Sequence, residues 1–140
     1  MRRLTILPCA AGALFAFGYA ALAQQPQIKV KDGDSVIVDG KEYRLRNHNA
    51  PEIGTRGRGR PKCAAERELG EKASERLGQL VAEGRKNGTL EFKDTGGKDR
   101  THAKRPLAEI KVNGQDVGKT LRQESLAKRS SGPGHKDFCR

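Results

Sequence analysis

The stretch Ile28-Lys29-Val30-Lys31-Asp32-Gly33-Asp34-Ser35-Val36-Ile37-Val38-Asp39-Gly40-Lys41-Glu42-Tyr43-Arg44-Leu45-Arg46 decides the fold. Two turn signals, Asp32-Gly33-Asp34 and Asp39-Gly40, divide it into three short runs at 28–31, 35–38 and 41–46. In the third run Tyr43 and Leu45 alternate with charged residues, the period of a strand with one face buried. Asp-Gly is the dipeptide that tolerates positive φ at both centres of a type I′ turn, so the second break predicts a two-residue hairpin and, with the first run, a three-stranded meander.

Downstream, residues 47–62 are rich in Gly, Pro and Arg without periodicity and read as a loop, long enough to suggest function. From 64 to 83, Leu69, Ala73, Leu77, Leu80 and Val81 recur at helical spacing, and Gly84 is the expected stop. Residues 89–92 and 107–112 read as strands, Asn113-Gly114 as a sharp turn, and 117–127 as a second helix with Val117, Leu121 and Leu126 inward. The tail from 130 to 140 shows little helical or strand character. Three strands, a helix, two strands and a helix form an α+β order, compatible with a five-stranded OB-fold barrel carrying two or three helices. Neither a repeat nor a linker interrupts it, so residues 24–140 read as one domain.

Upstream, Arg2-Arg3 precede an apolar stretch at 4–22, and Ala21-Leu22-Ala23 fits the small-x-small pattern before a cleavage point. Residues 1–23 therefore read as a cleaved signal peptide, with an uncleaved anchor as the alternative. Pro8 and Gly12 interrupt the stretch and speak against a membrane span. The expected product is periplasmic or secreted, a monomer with no stable membrane association. The 140 residues carry 28 Lys plus Arg against 17 Asp plus Glu, a net charge of +11. A chain this short excludes a multidomain enzyme or a membrane bundle. Losing Arg2 and Arg3 leaves +9, which favours a polyanionic partner such as nucleic acid.

Cys63 and Cys139 remain after cleavage. In an oxidising compartment two cysteines spanning a small, core-poor domain read as a disulfide, with free thiols or an intermolecular bridge as alternatives. His48, His102 and His135 lack the spacing of zinc ligands.

The chemistry-bearing residues follow one order: Asp32-Gly33-Asp34-Ser35, then Arg44, then Ala50-Pro51-Glu52, then Lys62-Cys63-Ala64-Ala65-Glu66-Arg67 with Leu69-Gly70. Arg105-Pro106-Leu107-Ala108-Glu109-Ile110 and Val112-Asn113-Gly114-Gln115-Asp116-Val117-Gly118 come next, with Leu126-Ala127 last. This ordered set, spread over residues 28–127, resembles the thermonuclease (staphylococcal nuclease-like) family. The resemblance implies a calcium-dependent phosphodiesterase on an OB-fold that cuts DNA and RNA. It also implies roles. Asp34 is the principal calcium ligand, Asp32 acts beside it, and the Ala50 carbonyl and Asn49 complete the metal set. Glu52 positions or activates water, while Arg44 and Arg105 stabilise charge on the phosphate. The residue types suit that task, because hard cations take oxygen donors and guanidiniums bind phosphate oxygens bidentately.

Two departures from the family pattern stand out. Asn49 occupies the position of an expected aspartate, removing a negative charge from the metal set. Residues 99–105 hold two more residues than the usual D-[RK]-Y-G-R and lack its Tyr and Gly; there His102 or Lys104 could touch a phosphate or simply decorate a loop. His48, three residues before Pro51, could perturb or assist the site, but as a lone loop histidine it reads as structural. Arg56, Arg58, Arg60 and Lys62 form either a phosphate-contacting loop or an ordinary solvated one. The only aromatic residues beyond the leader are Tyr43, Phe92 and Phe138, which predicts weak base preference. Two function classes follow: a secreted metal-dependent nuclease, or a catalytically weakened relative that binds nucleic acid, another polyanion or a protein partner.

Overall fold

A computed structural model describes residues 25–100, 104–134 and 136–139. The expected signal peptide, His102 and His135 lie outside the described residues, as does the Arg58 side chain. No helix among the described residues is long and apolar enough to cross a membrane.

The meander forms as expected. Strands β1 (Ile28–Asp32), β2 (Ser35–Val38) and β3 (Lys41–Leu45) pair antiparallel in sequence order. Val38 faces Lys41 across the two-residue Asp39-Gly40 turn, whose φ values of 48° and 83° are both positive, as a type I′ turn requires. Val36, Val38, Tyr43 and Leu45 turn inward. The β1–β2 register slips between Val30 and Asp32, and this irregularity lies beside the first acidic residue of the site.

Helix α1 spans Ala64–Asn87 and buries Gly70, Ala73, Leu77, Leu80, Val81 and Gly84 along one stripe. Cys63 caps its start, the sulfur accepting from the Glu66 amide at 3.3 Å, while the Glu66 carboxylate accepts from the Lys62 amide at 2.6 Å. The predicted stop at Gly84 is corrected to Gly88, whose φ of 68° makes the left-handed cap. Gly84 serves packing instead, since a Cβ there would lie 2.8 Å from Val112 Cγ2.

Strand β4 (Glu91–Lys98) runs longer than the predicted 89–92 and pairs antiparallel with β5 (Pro106–Val112). A two-residue strand β6 (Gln115–Asp116), unforeseen in the sequence, also pairs with β5. Helix α2 covers Val117–Gln123 and stops short of 127 because Ser125 adopts a positive φ of 61°. The order is β1-β2-β3-β5-β4, with β3 parallel to β5 through Arg44–Leu107 and Leu45–Ala108. The protein is thus α+β, with a mixed six-stranded sheet and, among the described residues, two α-helices. No ladder joins β1 to β4, so the sheet is open where a closed five-stranded barrel was expected.

The core lies between the sheet's inner face and the two helices, with Val36, Leu77, Ile110, Val117 and Leu121 sealed from solvent. Tyr43 and Phe92 meet edge to face at 5.1 Å. The Cys63 and Cys139 sulfurs lie at disulfide distance, with Cα atoms 6.0 Å apart across 76 residues of sequence. The tail is thereby pinned to the start of α1. Closing so long a loop adds about 4 kcal/mol by the chain-entropy model.

Candidate functional site

The Asp32-Gly33-Asp34 turn is held from behind by two close approaches. A Cβ on Gly33 would lie 2.6 Å from Ala50 Cβ and 2.9 Å from Ala73 Cβ, so glycine lets the turn press on both the loop and α1. His48, fully buried, donates through Nε2 to the Gly33 carbonyl at 2.9 Å, and its Nδ1 has no hydrogen-bond partner. Burial pulls its pKa down to about 4, despite the Gly33 hydrogen bond, so the ring is neutral at neutral pH. The structural reading of His48 agrees with this geometry: it is a pillar under the acidic turn.

Asp34 is only 7% exposed. Its Oδ1 accepts from the Ser35 hydroxyl at 2.9 Å; its Oδ2 meets Arg44 Nη2 at 2.9 Å and accepts from the Ala50 amide at 3.2 Å. Arg44 Nη2 also donates to Asn49 Oδ1 at 2.9 Å. Asp32 accepts from the Asp34 amide at 3.0 Å and borders the adjoining cleft. Burial first, then the negative charge of Asp34, raises the Asp32 carboxyl to about 6.

Arg105 enters from just before β5. Asp99 fixes it twice, accepting from its amide at 2.9 Å and from Nε at 3.1 Å, while Nη1 donates to Ser35 Oγ at 3.0 Å and to Glu42 Oε1 at 3.2 Å. Burial opposes its charge, but the Glu42 and Asp99 hydrogen bonds outweigh that and raise its pKa. The lengthened segment 99–105 therefore still delivers Arg105 to the site. The Asp99 amide also donates to the Arg105 carbonyl at 2.8 Å.

Asp32, Arg44, Asn49, Ala50, Glu52 and Arg105 all border one cleft of about 800 Å³. Beyond Glu52 the chain is pinched where the Gly54 amide donates to the Gly59 carbonyl at 2.8 Å, and a Cβ on Gly59 would lie 3.5 Å from Glu52 Oε2. Partial desolvation, followed by the charges of Asp34 and Asp32, raises the Glu52 pKa. Gly70 lets this loop sit against α1, for a Cβ there would come within 2.6 Å of Ile53 Cγ2 and 2.8 Å of the Pro51 carbonyl.

Of the basic loop, Arg60 and Lys62 join the cleft wall, whereas Arg56 is exposed and does not border it. Lys104 is exposed, with a φ of 45°, and is likewise outside the wall. Sequence reasoning missed Glu42, Arg100, Lys136 and Phe138. Glu42 had a usable signal, since it lies two residues from Arg44 in β3 and so shares its face. The tail residues Lys136 and Phe138 had none, because tertiary contacts carry the tail to the cleft: the Cys63–Cys139 pairing, the Lys62 ammonium on the Lys136 carbonyl, and Lys128 against Phe138.

The donors around Asp34 suit a hard divalent cation: two carboxylates and an amide oxygen, with Asp32 crowded by a like charge that a dication would relieve. The Arg44 guanidinium already engages Asp34 Oδ2 and Asn49 Oδ1, so a cation using those oxygens has to displace it toward the cleft. Among the described residues, the one trio of ligand-type side chains with atoms within 4.8 Å of one another is Cys63, Glu66 and Cys139. Its two sulfurs are spent on each other. Compared with known proteins, the chain matches no family model and no curated protein.

Proposed function

We propose that the chain is a secreted, metal-dependent nuclease that hydrolyses phosphodiester bonds of DNA or RNA, built on a thermonuclease-like OB-fold opened between β1 and β4. The observation that carries this reading is the convergence of Arg44, Arg105 and Glu52 on one cleft beside the Asp32–Asp34 pair. The order β1-β2-β3-β5-β4, with β3 parallel to β5, supports the fold assignment, being that of a five-stranded OB barrel cut along one seam. A Cys63–Cys139 pair at bonding distance fits export to an oxidising compartment.

Calcium, held by Asp34, Asp32, Asn49 and the Ala50 carbonyl, would act as a Lewis acid on the phosphate. Glu52, with its raised pKa, accepts the proton of the attacking water, whose oxygen bonds to phosphorus as the bond to the leaving oxygen breaks. Arg44 and Arg105 face charge that builds on the non-bridging oxygens, where guanidinium donors help most. Preorganisation by Asp99 and Glu42 suits Arg105 to that task, since little reorganises during reaction.

One observation favours a second reading, a weakened relative that binds nucleic acid without cutting it. Asn49 brings no charge, and Arg44 sits on the oxygens a cation needs. Plasmid and single-strand degradation over a calcium series separates the two. Calcium-dependent cleavage abolished by Glu52→Gln supports the enzyme; an inert wild type beside an active Asn49→Asp supports the binder.

A further inference from the structure

A second concavity, about 730 Å³, opens between α2 and the tail. Its cationic walls are Lys119, Arg122, Lys128 and Arg129, and among the described residues no carboxylate borders it. Elsewhere some surface cations are matched, Lys31 with Glu42, Lys41 with Asp94, Arg46 with Glu109, Lys72 with Glu68, and Arg76 with Glu124, while others, Lys29, Lys86 and Lys111 among them, stand singly; the groove differs in gathering four cations on one concave surface. Among the described residues, none of the four groove cations enters such a pair. Gathering like charges on a concave surface raises its potential and draws an anion to it.

The groove is built rather than incidental. Val117 and Leu121 bury the inner face of α2, which presents Lys119 and Arg122 three residues apart on one side. Arg122 Nη1 donates to the Asn47 carbonyl at 3.2 Å, fixing that wall to the loop that carries the site. Lys128 props the opposite wall: its ammonium donates to the Gly134 and Asp137 carbonyls and lies 4.9 Å from the centre of the Phe138 ring. That leaves Lys119, Arg122 and Arg129 to meet a ligand.

Position identifies the ligand class. The Lys128 backbone forms a two-bond bridge with Asn49, accepting from its amide at 3.0 Å and donating to its carbonyl at 2.9 Å. Asn49 borders the cleft and Lys128 the groove, so a single residue pair separates them. Among the described residues no aromatic ring borders the groove, and its apolar lining is confined to Ala127 and Pro133, which suits phosphates rather than bases, acyl chains or an apolar peptide. We propose that Lys119, Arg122 and Arg129 form a second phosphate track that holds the nucleic-acid strand running to or from the cleft. This rests on nucleic acid being the ligand of that cleft.

The test is fluorescence anisotropy of a labelled 20-nucleotide single strand with the disulfide-intact protein in EDTA, over a salt series. The variant Lys119→Gln/Arg129→Gln leaves Arg122 and its Asn47 contact intact. Lys29→Gln/Lys86→Gln removes the same charge from residues bordering neither cavity. At about 0.7 counterions released per single-strand phosphate contact, losing two contacts lowers the log–log salt slope by about 1.4 and the affinity at 0.1 M salt about 25-fold. The control is expected to lose less than about twofold, and circular dichroism shows whether both variants fold alike. Equal losses in the two variants, while wild type still cleaves the same strand with calcium, overturn the track and leave the nuclease standing. The expected loss confined to the groove variant, in a wild type that binds but never cleaves, supports the track and removes the nuclease. A wild type that binds no strand at low salt overturns both.

Discussion

Replacing Asp32 by Asn tests the electrostatic logic of the site directly, because Asn keeps the oxygen that accepts from the Asp34 amide and removes only the charge. The folded-state pKa of about 6 stands above the ordinary 3.8, raised by burial and by Asp34. Below pH 3.8 Asp32 is protonated in both folded and unfolded chains, so charge costs nothing. Between 3.8 and 6 the unfolded chain releases its proton while the folded one retains it, and stability falls as pH rises. Above 6 the full cost is present. The gap corresponds to at most about 3 kcal/mol at 1.36 kcal/mol per pH unit. Asp32→Asn is therefore expected to be about 1–3 kcal/mol more stable than wild type at pH 7.5 in EDTA. At pH 3.5 the two should match to within about 1 kcal/mol, because Asp32 is then itself neutral and nearly isosteric with Asn. Urea unfolding monitored by circular dichroism, disulfide intact, reads this as a midpoint rise of about 1 M for a slope near 2 kcal/mol/M. A variant less stable than wild type at pH 7.5, or an equal difference at both pH values, would refute the crowding of Asp32 by Asp34.

Asn49→Asp restores one negative charge to the cation set and is expected to lower the calcium dissociation constant at least about tenfold by titration calorimetry, a gain of about 1.4 kcal/mol. Unchanged affinity would place the cation away from Asn49. Gly70→Ala drives a Cβ into Ile53 and the Pro51 carbonyl, so about 1–3 kcal/mol of stability should be lost together with much of any cleavage, because the Glu52 loop is pushed off α1. An equally active Gly70→Ala would show that Glu52 does not depend on this seating. Cys139→Ser should cost about 4 kcal/mol in urea unfolding and expose the tail to trypsin after Arg129, whereas wild type resists until reduced.

The meander was legible because its turns are local: Asp39-Gly40 needs only two residues to dictate a hairpin, and Val36, Val38, Tyr43 and Leu45 then share a face by alternation. The α1 stripe was legible for the same reason, yet its end was not. Gly84 looks like a stop in sequence and serves as a gap for Val112 across the core, a non-local demand no periodicity reports. Strand β6 is too short to carry a period, and the length of β4 is set by its ladder with β5 rather than by its own Gly-rich end. At the site, the placement of Arg44, Glu52 and Arg105 on one cleft was anticipated by motif order. The anchors of Arg105 at Glu42 and Asp99, and the tail's contribution of Lys136 and Phe138, arise from tertiary contacts that sequence spacing leaves silent.

The parallel seam between β3 and β5 holds the two catalytic candidates' strands together through just two register pairs, reinforced by the Arg46 amide donating to the Ala108 carbonyl at 3.0 Å. Everything in the meander can form from neighbours in sequence, whereas this seam must wait until α1 and β4 have been laid down between its partners. Loop-closure entropy makes such a contact late. Protection of the Arg46 amide against hydrogen exchange would then emerge after that of the β2–β3 hairpin during refolding. A chain emerging from synthesis would thus acquire the Arg44 scaffold early and bring Arg44 and Arg105 together only near the end of folding, a delay set by topology rather than by any inhibitor.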